Sequence, residues 1–245
     1  MAQYYTKINT LYKRYTDGKL KNCIILGDHS EKEVETLRNI PWACFEKIDG
    51  TNMSYHLIPT SIKETIVDEA TNTTYHIFDY NFEIHGKTEN AAIPKHLLTK
   101  MESLLNKEQM VQQFTRNGIP PQVPIIIFGE GYGMKIQKGG NYIPDDCDFI
   151  VFDIKVGDVF LERPTYEEIA NQLNLKCVPF LGMMTINDAE QMVMKGFKSL
   201  IAHNKDYDAE GIVAVAPHGL LNRLGKRLIT KIKTCDYNQL KAKEA

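Results

Sequence analysis

Five short stretches of the chain combine residue types that could do chemistry on a phosphate group, and they follow one another from residue 46 to residue 233. They are Glu46-Lys47-Ile48-Asp49-Gly50, Phe128-Gly129-Glu130-Gly131, Phe149-Ile150-Val151-Phe152-Asp153, Glu210-Gly211-Ile212-Val213 and Lys231-Ile232-Lys233. Each stretch alone has an ordinary structural explanation, because motifs this short recur by chance. Their joint occurrence in this order favours a functional interpretation.

Lys47 is the candidate nucleophile. A free lysine amine has a pKa of about 10.4 and is protonated at neutral pH, so a lysine that attacks phosphorus needs burial or neighbouring positive charge. Strand alternation places Lys47 and Asp49 on one face and Glu46 and Ile48 on the other. By itself, Lys-x-Asp-Gly is most often a solvated turn.

The other candidates suit the binding of a nucleoside triphosphate. Lys231 and Lys233 share one strand face and could neutralise the attacked phosphate, although an exposed edge strand also uses lysines. Glu130 and Glu210 stand beside glycines and could hold a divalent metal ion or a ribose hydroxyl. Phe152 could present its ring to a purine, although most phenylalanines belong to the core.

Turn signals and apolar periodicity predict the elements that must position these residues. Helices are predicted at 5–15, at 31–38 behind a capping box at Ser30, at 96–114, from Thr165 onward, and at 187–203 with Glu190 in the capping position. Strands are predicted at 44–58 around a turn at 49–52, and at 75–78, 81–85, 124–128, 149–154, 211–216 and 227–233. Hairpin signals outnumber crossover helices, which favours an α+β fold with antiparallel sheets.

The composition is ordinary for a globular protein. The 245 residues are 43% hydrophobic and 24% charged, with a formal net charge of −2; a local basic patch could still bind nucleic acid. The five cysteines form no Cys-x-x-Cys pair, which predicts reduced, intracellular thiols. Because no apolar run approaches a membrane span, we expect a soluble cytoplasmic protein with no membrane partner.

Together the five stretches resemble the motifs of the covalent nucleotidyltransferase superfamily, which comprises DNA ligases, RNA ligases and mRNA capping enzymes. Within it, residues 46–52 and 227–233 are similar to the first and last motifs of the RNA ligase 2-type branch, which includes phage and trypanosome editing ligases. The resemblance covers about residues 5–235. It implies a nucleotidyltransferase (ligase adenylylation) fold, with antiparallel sheets flanked by helices, and suggests a phage-encoded enzyme of RNA repair acting in the host cytoplasm.

The resemblance implies an ATP-dependent RNA ligase. Lys47 would take AMP from ATP in the presence of Mg²⁺ or Mn²⁺, with Lys231 and Lys233 as further catalytic residues on the α-phosphate. AMP would pass to an RNA 5′-phosphate, and a 3′-hydroxyl would then seal the strand. The implied nucleotide-binding residues are Glu46 on the adenine edge, Ile48, Asn52 near a phosphate or a metal-bound water, Lys87, Glu130, Phe152 stacked on adenine, Lys231 and Lys233. The implied metal ligands are Glu130 and Glu210.

Two departures from the family pattern stand out. The family commonly has an arginine where this chain reads His85-Gly86-Lys87-Thr88-Glu89-Asn90, so Lys87 is the counterpart and lacks the guanidinium fork. Only residues 234–245 follow the last lysine motif, so we expect one nucleotidyltransferase domain over 1–245 without a separate C-terminal OB or helical domain. Arg223, Lys226 and Arg227 would then bind nucleic acid, or simply form a solvated surface.

Three alternatives remain open at this point. A capping guanylyltransferase would use GTP, and a DNA ligase would seal nicks made only of DNA. A non-ligating module that binds nucleic-acid ends would not depend on Lys47. The physiological RNA and the oligomeric state are not predicted.

Overall fold

A computed structural model of the chain describes residues 4–88, 90–137 and 139–244. In chain order its strands are β1 (Asn9–Thr10), β2 (Tyr12–Arg14), β3 (Ile24–His29), β4 (Trp42–Lys47), β5 (Thr51–Asp68), β6 (Thr73–Gly86), β7 (Ile125–Gly133), β8 (Cys147–Val156), β9 (Val159–Phe160), β10 (Lys176–Cys177), β11 (Phe180–Met184), β12 (Gly211–Val215) and β13 (Ile229–Lys233). Its α-helices are α1 (Lys32–Thr36), α2 (Lys95–Leu104), α3 (Lys107–Phe114), α4 (Arg163–Gln172), α5 (Ile186–Lys195) and α6 (Thr234–Glu244). None of the helices in the described ranges is long and apolar enough to cross a membrane.

The chain divides into two compact units, and the first contains Tyr4, Tyr5 and residues 49–177. Its sheet has the order β10-β8-β7-β5-β6, with β9 paired to β8. Alternate β5 residues (Met53, Tyr55 and Leu57) are buried in one core with β7 and β8 residues and with α2. This alternation turns the intervening residues of β5, Asn52 and Ser54 among them, to the other face of the sheet.

The second unit contains residues 6–48 and 178–245. Its main sheet has the order β1-β13-β12-β4-β11, and β2 and β3 form a separate pair. Helix α5 packs on β12 and β13, and its buried Ala189 and Val193 join Trp42, Cys44 and Ile212 in the second core. Strand β12 thus lies between the strands that end in Lys47 and Lys233. The expectation of one nucleotidyltransferase domain over 1–245 stays a prediction.

The predicted α+β class is confirmed, because the sheets are antiparallel except where β1 pairs with β13 and β10 with β8. The strands predicted at 124–128, 149–154, 211–216 and 227–233 are also confirmed as β7, β8, β12 and β13. These segments are rich in β-branched residues and run through the middle of a sheet, where periodicity is a reliable signal. The predicted turn at 49–52 separates β4 from β5, although Thr51 and Asn52 already belong to β5 and the two strands lie in different sheets.

The predicted helix at 5–15 is wrong. Residues 9–14 form β1 and β2 instead, with Asn9 opposite Thr230 and Tyr12 opposite His29. The helical spacing of tyrosines there is overridden by pairing with strands that lie far away in the sequence. Between 75 and 85 the structure has one continuous strand, β6, because it pairs along its length with β5.

The helix predictions at 96–114 and 187–203 are too long. The first splits into α2 and α3 because Asn106 caps α3, accepting from the Gln109 amide at 2.9 Å while the Gln109 side chain binds back. The second ends at Lys195, before Gly196 with its φ of 77°. The caps also differ from those predicted: Glu31 rather than Ser30 precedes α1, Glu162 precedes α4, and Thr185 caps α5.

Candidate active site

Three predicted residues of the second unit meet at the ends of adjacent strands. Gly211 of β12 lies opposite both Lys47 of β4 and Lys233 of β13, so Glu210, one residue earlier, reaches both lysines. Its Oε2 is 2.5 Å from the Lys47 amine and its Oε1 is 2.7 Å from the Lys233 amine. The Lys47 amine also donates to the Ile48 carbonyl oxygen at 3.3 Å. One carboxylate therefore holds two ammonium groups.

Glycine at position 211 is required by the backbone. Its φ is 150°, and a Cβ there would overlap the carbonyl oxygen of Ile232. A side chain would thus push β12 away from β13 and separate Glu210 from Lys233. The Thr234 amide donates to the Glu210 carbonyl at 2.9 Å and fixes the same junction.

The environment of Lys233 is set by two opposing effects. Burial alone would lower the pKa of its amine, but the hydrogen bond and the negative charge of Glu210 outweigh burial and raise the pKa above its ordinary value. Lys233 therefore stays a cation. Lys231 lies opposite Val213 and on the same strand face as Lys233, whereas Thr230 and Ile232 are buried on the other face. This is the alternation expected from the sequence.

Glu46 is placed differently from Lys47. It is only 1% exposed, its Oε1 accepts from the Ser199 hydroxyl at 2.5 Å, and its Oε2 accepts from the Leu200 amide at 2.8 Å. Burial raises the pKa of the Glu46 carboxyl, and the two hydrogen bonds partly offset this effect. Ile48 is also buried, at 3%. Recognition of the adenine edge by Glu46 stays a prediction.

The first unit brings together two further predicted residues. Asn52 of β5 lies directly opposite Glu130 of β7, and both side chains are partly exposed. Gly50 comes so close to the backbone of Gly131 that a Cβ would overlap it. A Cβ on Gly129 would overlap Phe149 and one on Gly131 would overlap Leu97. The glycines beside Glu130 therefore allow close approach of one protein segment to another, which is a structural use that the sequence did not reveal.

Phe152 belongs to an aromatic group of the first unit. The ring of Tyr5 lies 4.9 Å from Phe152 and 5.1 Å from Phe128, edge-on in both cases. The Tyr5 hydroxyl donates to Asp153 Oδ2 at 2.9 Å, and Asp153 is 2% exposed. Sequence reasoning gave Asp153 and Tyr5 no role, and the position of a polar Asp153 inside an apolar run was the available signal.

The remaining predicted residues are more exposed. Lys87 follows the end of β6 and is exposed, and Glu89 of the same stretch lies outside the described residues. Arg223 and Lys226 are exposed, and Arg227 partly so, in the connection between β12 and β13. Asn222 shapes that connection, since its side-chain oxygen accepts from the amides of Leu224 and Lys226, each at 3.0 Å.

A metal ion bound with a nucleotide would have single carboxylates as its protein ligands. Within the described ranges, no three His, Cys, Asp or Glu side chains converge in a metal cluster. Mg²⁺ bound with a nucleotide usually takes one or two protein carboxylates, with phosphate oxygens and water as its other ligands. Glu210 of the second unit and Glu130 of the first unit each fit that requirement by type.

Comparison with known proteins identifies the family and the fold. A family model described as RNA ligase matches residues 40–233, which include all five sequence stretches. The chain belongs to the RNA ligase family. No curated protein sequence gave a match.

The solved structures that match include RNA ligases of Naegleria gruberi. An apo variant matches with a TM-score of 0.54 and 20% identity, covering 87% of this chain and 55% of that chain. A variant with ATP and Mn gives a TM-score of 0.56 and 20% identity at the same coverage. Another variant with ATP and Mn gives 0.56 and 18% identity, covering 99% of this chain and 63% of that chain. These matches confirm the predicted RNA ligase fold, and the chain spans about 55–63% of the length of those ligases.

Proposed function

We propose that this chain is an ATP-dependent RNA ligase that forms a lysyl–AMP intermediate on Lys47. The contact of the Lys47 amine with Glu210, beside Lys233, carries this proposal. Membership of the RNA ligase family supports it, as do the matching Naegleria gruberi RNA ligases solved with ATP and Mn or with AMP and Mn.

In the first step the Lys47 nitrogen attacks the α-phosphorus of ATP. A P–N bond forms, the P–O bond to the β-phosphate breaks, and pyrophosphate leaves with the bonding electrons. The attacking amine must first lose a proton, and the nearest acceptor is the Glu210 carboxylate, 2.5 Å away. Lys233, together with Lys231 on the same strand face, stabilises the charge that develops on the α-phosphate.

Glu210 and Glu130 are the proposed metal ligands. A Mg²⁺ or Mn²⁺ ion bound with ATP would supply further charge neutralisation on the phosphates. For Asn52, Phe152, Lys87, Ile48 and Glu46 we propose the nucleotide-binding roles that the resemblance implies.

The later steps act on RNA ends. AMP passes from Lys47 to a 5′-phosphate, and a 3′-hydroxyl then displaces AMP and forms the phosphodiester. Arg223, Lys226 and Arg227 are the proposed contacts with the RNA backbone, because cationic side chains supply most sequence-independent affinity for nucleic acid. Positioning and charge neutralisation account for most of the catalysis in such transfers.

The test is intact-mass measurement after incubation with ATP or with GTP and Mg²⁺, with Lys47→Ala in parallel. We expect a mass gain of one AMP from ATP only, absent in the variant. An adduct with GTP instead would indicate a capping-type enzyme. If no adduct forms, and pyrophosphate treatment shows that the protein was not already adenylylated, the proposal is wrong. If the AMP adduct does form, a comparison of nicks that carry RNA or DNA at the 3′-hydroxyl side separates an RNA ligase from a DNA ligase.

A further inference from the structure

The residue before the proposed nucleophile carries a buried carboxylate whose partners lie in a distant loop. Glu46 accepts from the Ser199 hydroxyl and from the Leu200 amide, and it is 1% exposed while Ser199 is 5% exposed. A buried carboxylate needs such donors, because an unpaired charge in the interior is strongly unfavourable. Hydrogen bonds to a charged group are also among the strongest in proteins.

The loop that supplies these donors is closed on itself. We call residues 197–209 the Ser199 loop. Its ends are joined where the Ala209 amide donates to the Phe197 carbonyl and the Ser199 amide donates to the Tyr207 carbonyl, each at 2.9 Å. The Ala202 amide donates to the Ser199 hydroxyl oxygen at 3.2 Å, so this hydroxyl accepts one hydrogen bond while it donates to Glu46.

The Ser199 loop leads directly into Glu210, the partner of Lys47. The loop therefore has two connections to the end of β4: one through Ser199 and Glu46, and one through Glu210 and Lys47. Because Glu46 and Lys47 are neighbours on opposite strand faces, a shift of Glu46 also moves the backbone that carries Lys47.

We propose that Ser199 is a positioning residue for adenylylation, which fixes Lys47 and Glu210 relative to each other by holding the Glu46 carboxylate. Ser199 acts through Glu46, the carboxylate to which its hydroxyl donates. Since Lys47 is the proposed nucleophile, this role depends on the adenylylation proposed above. It also gives Glu46 a function in the state seen here, where both of its oxygens are directed into the protein.

The expected effect is on the rate of the chemical step. A displacement of about 1 Å in an active site can slow a reaction roughly a hundredfold. For Ser199→Ala we expect the rate of lysyl–AMP formation at saturating ATP to fall by at least about tenfold. The half-saturating ATP concentration should change by less than about threefold, because uniform binding is not affected. Ser199→Thr keeps the hydroxyl and should stay within about threefold of the unchanged protein.

The control is Ser103→Ala, which removes an exposed hydroxyl that donates to the Lys100 carbonyl in α2 and should leave the rate unchanged. All variants are compared at a temperature where circular dichroism shows them folded; Ser199→Cys, with its weak donor, replaces Ser199→Ala if that variant does not fold. An unchanged rate in the folded variant, or equal losses in Ser199→Ala and Ser199→Thr, would overturn the role. So would a loss in Ser199→Ala confined to the half-saturating ATP concentration, because Ser199 would then act on nucleotide binding and not on the position of Lys47.

A second measurement does not depend on adenylylation. Acetylation of lysines by acetic anhydride, followed by peptide mass spectrometry, reports how firmly the Lys47 amine is held. In Ser199→Ala, Lys47 should react at least about threefold faster relative to the exposed Lys63, because loss of position weakens its contact with Glu210. If the unchanged protein forms no adduct but this ratio rises, the proposed function fails and the positional coupling stands. An unchanged ratio overturns the coupling itself.

Discussion

Glu210 binds two lysine amines through separate oxygens, and this arrangement has a direct consequence for its substitution. Glutamine at position 210 would keep the size of the side chain. It would carry no negative charge and would have only one oxygen to accept from the two amines. The proposed proton acceptor and the charge between Lys47 and Lys233 would disappear together. The removal of one preorganised electrostatic contact typically lowers a catalytic rate by about 10²–10³.

We therefore expect Glu210→Gln to slow lysyl–AMP formation at saturating ATP by about 10²-fold or more. The rate is measured by intact mass after quenching at increasing times. Asp208→Asn is the matched control, since this carboxylate lies two residues away, is 63% exposed and pairs with Lys198. A surface ion pair of that kind contributes little. Similar rates for Glu210→Gln and the unchanged protein would remove Glu210 from the reaction.

The candidate residues could be predicted from the sequence where residue type and strand alternation decide their position. Lys47, Glu210 and Lys233 meet as such an arrangement requires. The partners of Glu46 could not be predicted, because Ser199 is 153 positions away and a lone serine in a loop gives no signal. Asp153 lay within a recognised stretch, but only the fold shows its contact with Tyr5.

At the scale of elements, the face of β5 opposite the core carries a buried histidine. His56 is 0% exposed, its Nε2 lies 2.8 Å from the Ser54 hydroxyl, and its ring centre is 4.5 Å from that of His85 on β6. Burial, with a smaller effect from His85, lowers the pKa of His56 to about 4. Between about pH 4 and pH 6.5, the folded sheet therefore keeps His56 neutral, whereas the same histidine in an unfolded chain would bind a proton.

This difference predicts that acid weakens the fold. A histidine whose folded pKa lies below its unfolded pKa contributes full stability above about pH 6.5, and the contribution is lost as the pH falls towards 4. At pH 5 the loss for His56 is roughly 2 kcal/mol. We expect the free energy of unfolding in urea to fall less between pH 7 and pH 5 in His56→Gln than in the unchanged protein. His203→Gln, at an exposed position, should keep the original pH dependence, and identical dependence in all three proteins would contradict the prediction.

Helix α3 gives a second prediction at this scale. Asn106 satisfies the Gln109 amide and separates α3 from α2. Removal of an N-cap side chain costs about 1 kcal/mol, so Asn106→Ala should lower the melting temperature by about 2–4 °C in a chain of this size. Asn106→Asp keeps the acceptor and should melt close to the unchanged protein in the same calorimetric experiment. Equal losses in both variants would show that the cap does not stabilise α3.

The sequence predicted the strands in the middle of each sheet because their β-branched residues form long apolar runs. It missed β1, β2, β3, β10 and β11, which depend on partners elsewhere in the chain. It also missed the break at Asn106, since the apolar spacing of α2 continues into α3. Tertiary pairing and local capping decided those segments, and neither is encoded in periodicity.

At the scale of the whole molecule, the net charge of −2 gives no general attraction to nucleic acid, so a local patch must supply it. The connection between β12 and β13 is the best candidate, because residues 217–229 contain Arg223, Lys226 and Arg227 and no acidic residue. Asn222 also holds the backbone of this connection in a defined shape.

Replacement of Arg223, Lys226 and Arg227 by glutamine changes the net charge from −2 to −5, since three positive charges are removed. The same change in Lys95, Lys107 and Arg116, which are exposed in the first unit, gives a protein of equal net charge. We expect only the first triple variant to lose RNA affinity strongly, measured by fluorescence anisotropy with a labelled single strand over a series of salt concentrations. Its plot of log affinity against log salt should be shallower by about 2, because each lost phosphate contact on single-stranded RNA contributes about 0.7. If both variants weaken binding equally, long-range charge rather than this connection governs the affinity, and Arg223, Lys226 and Arg227 are a solvated surface.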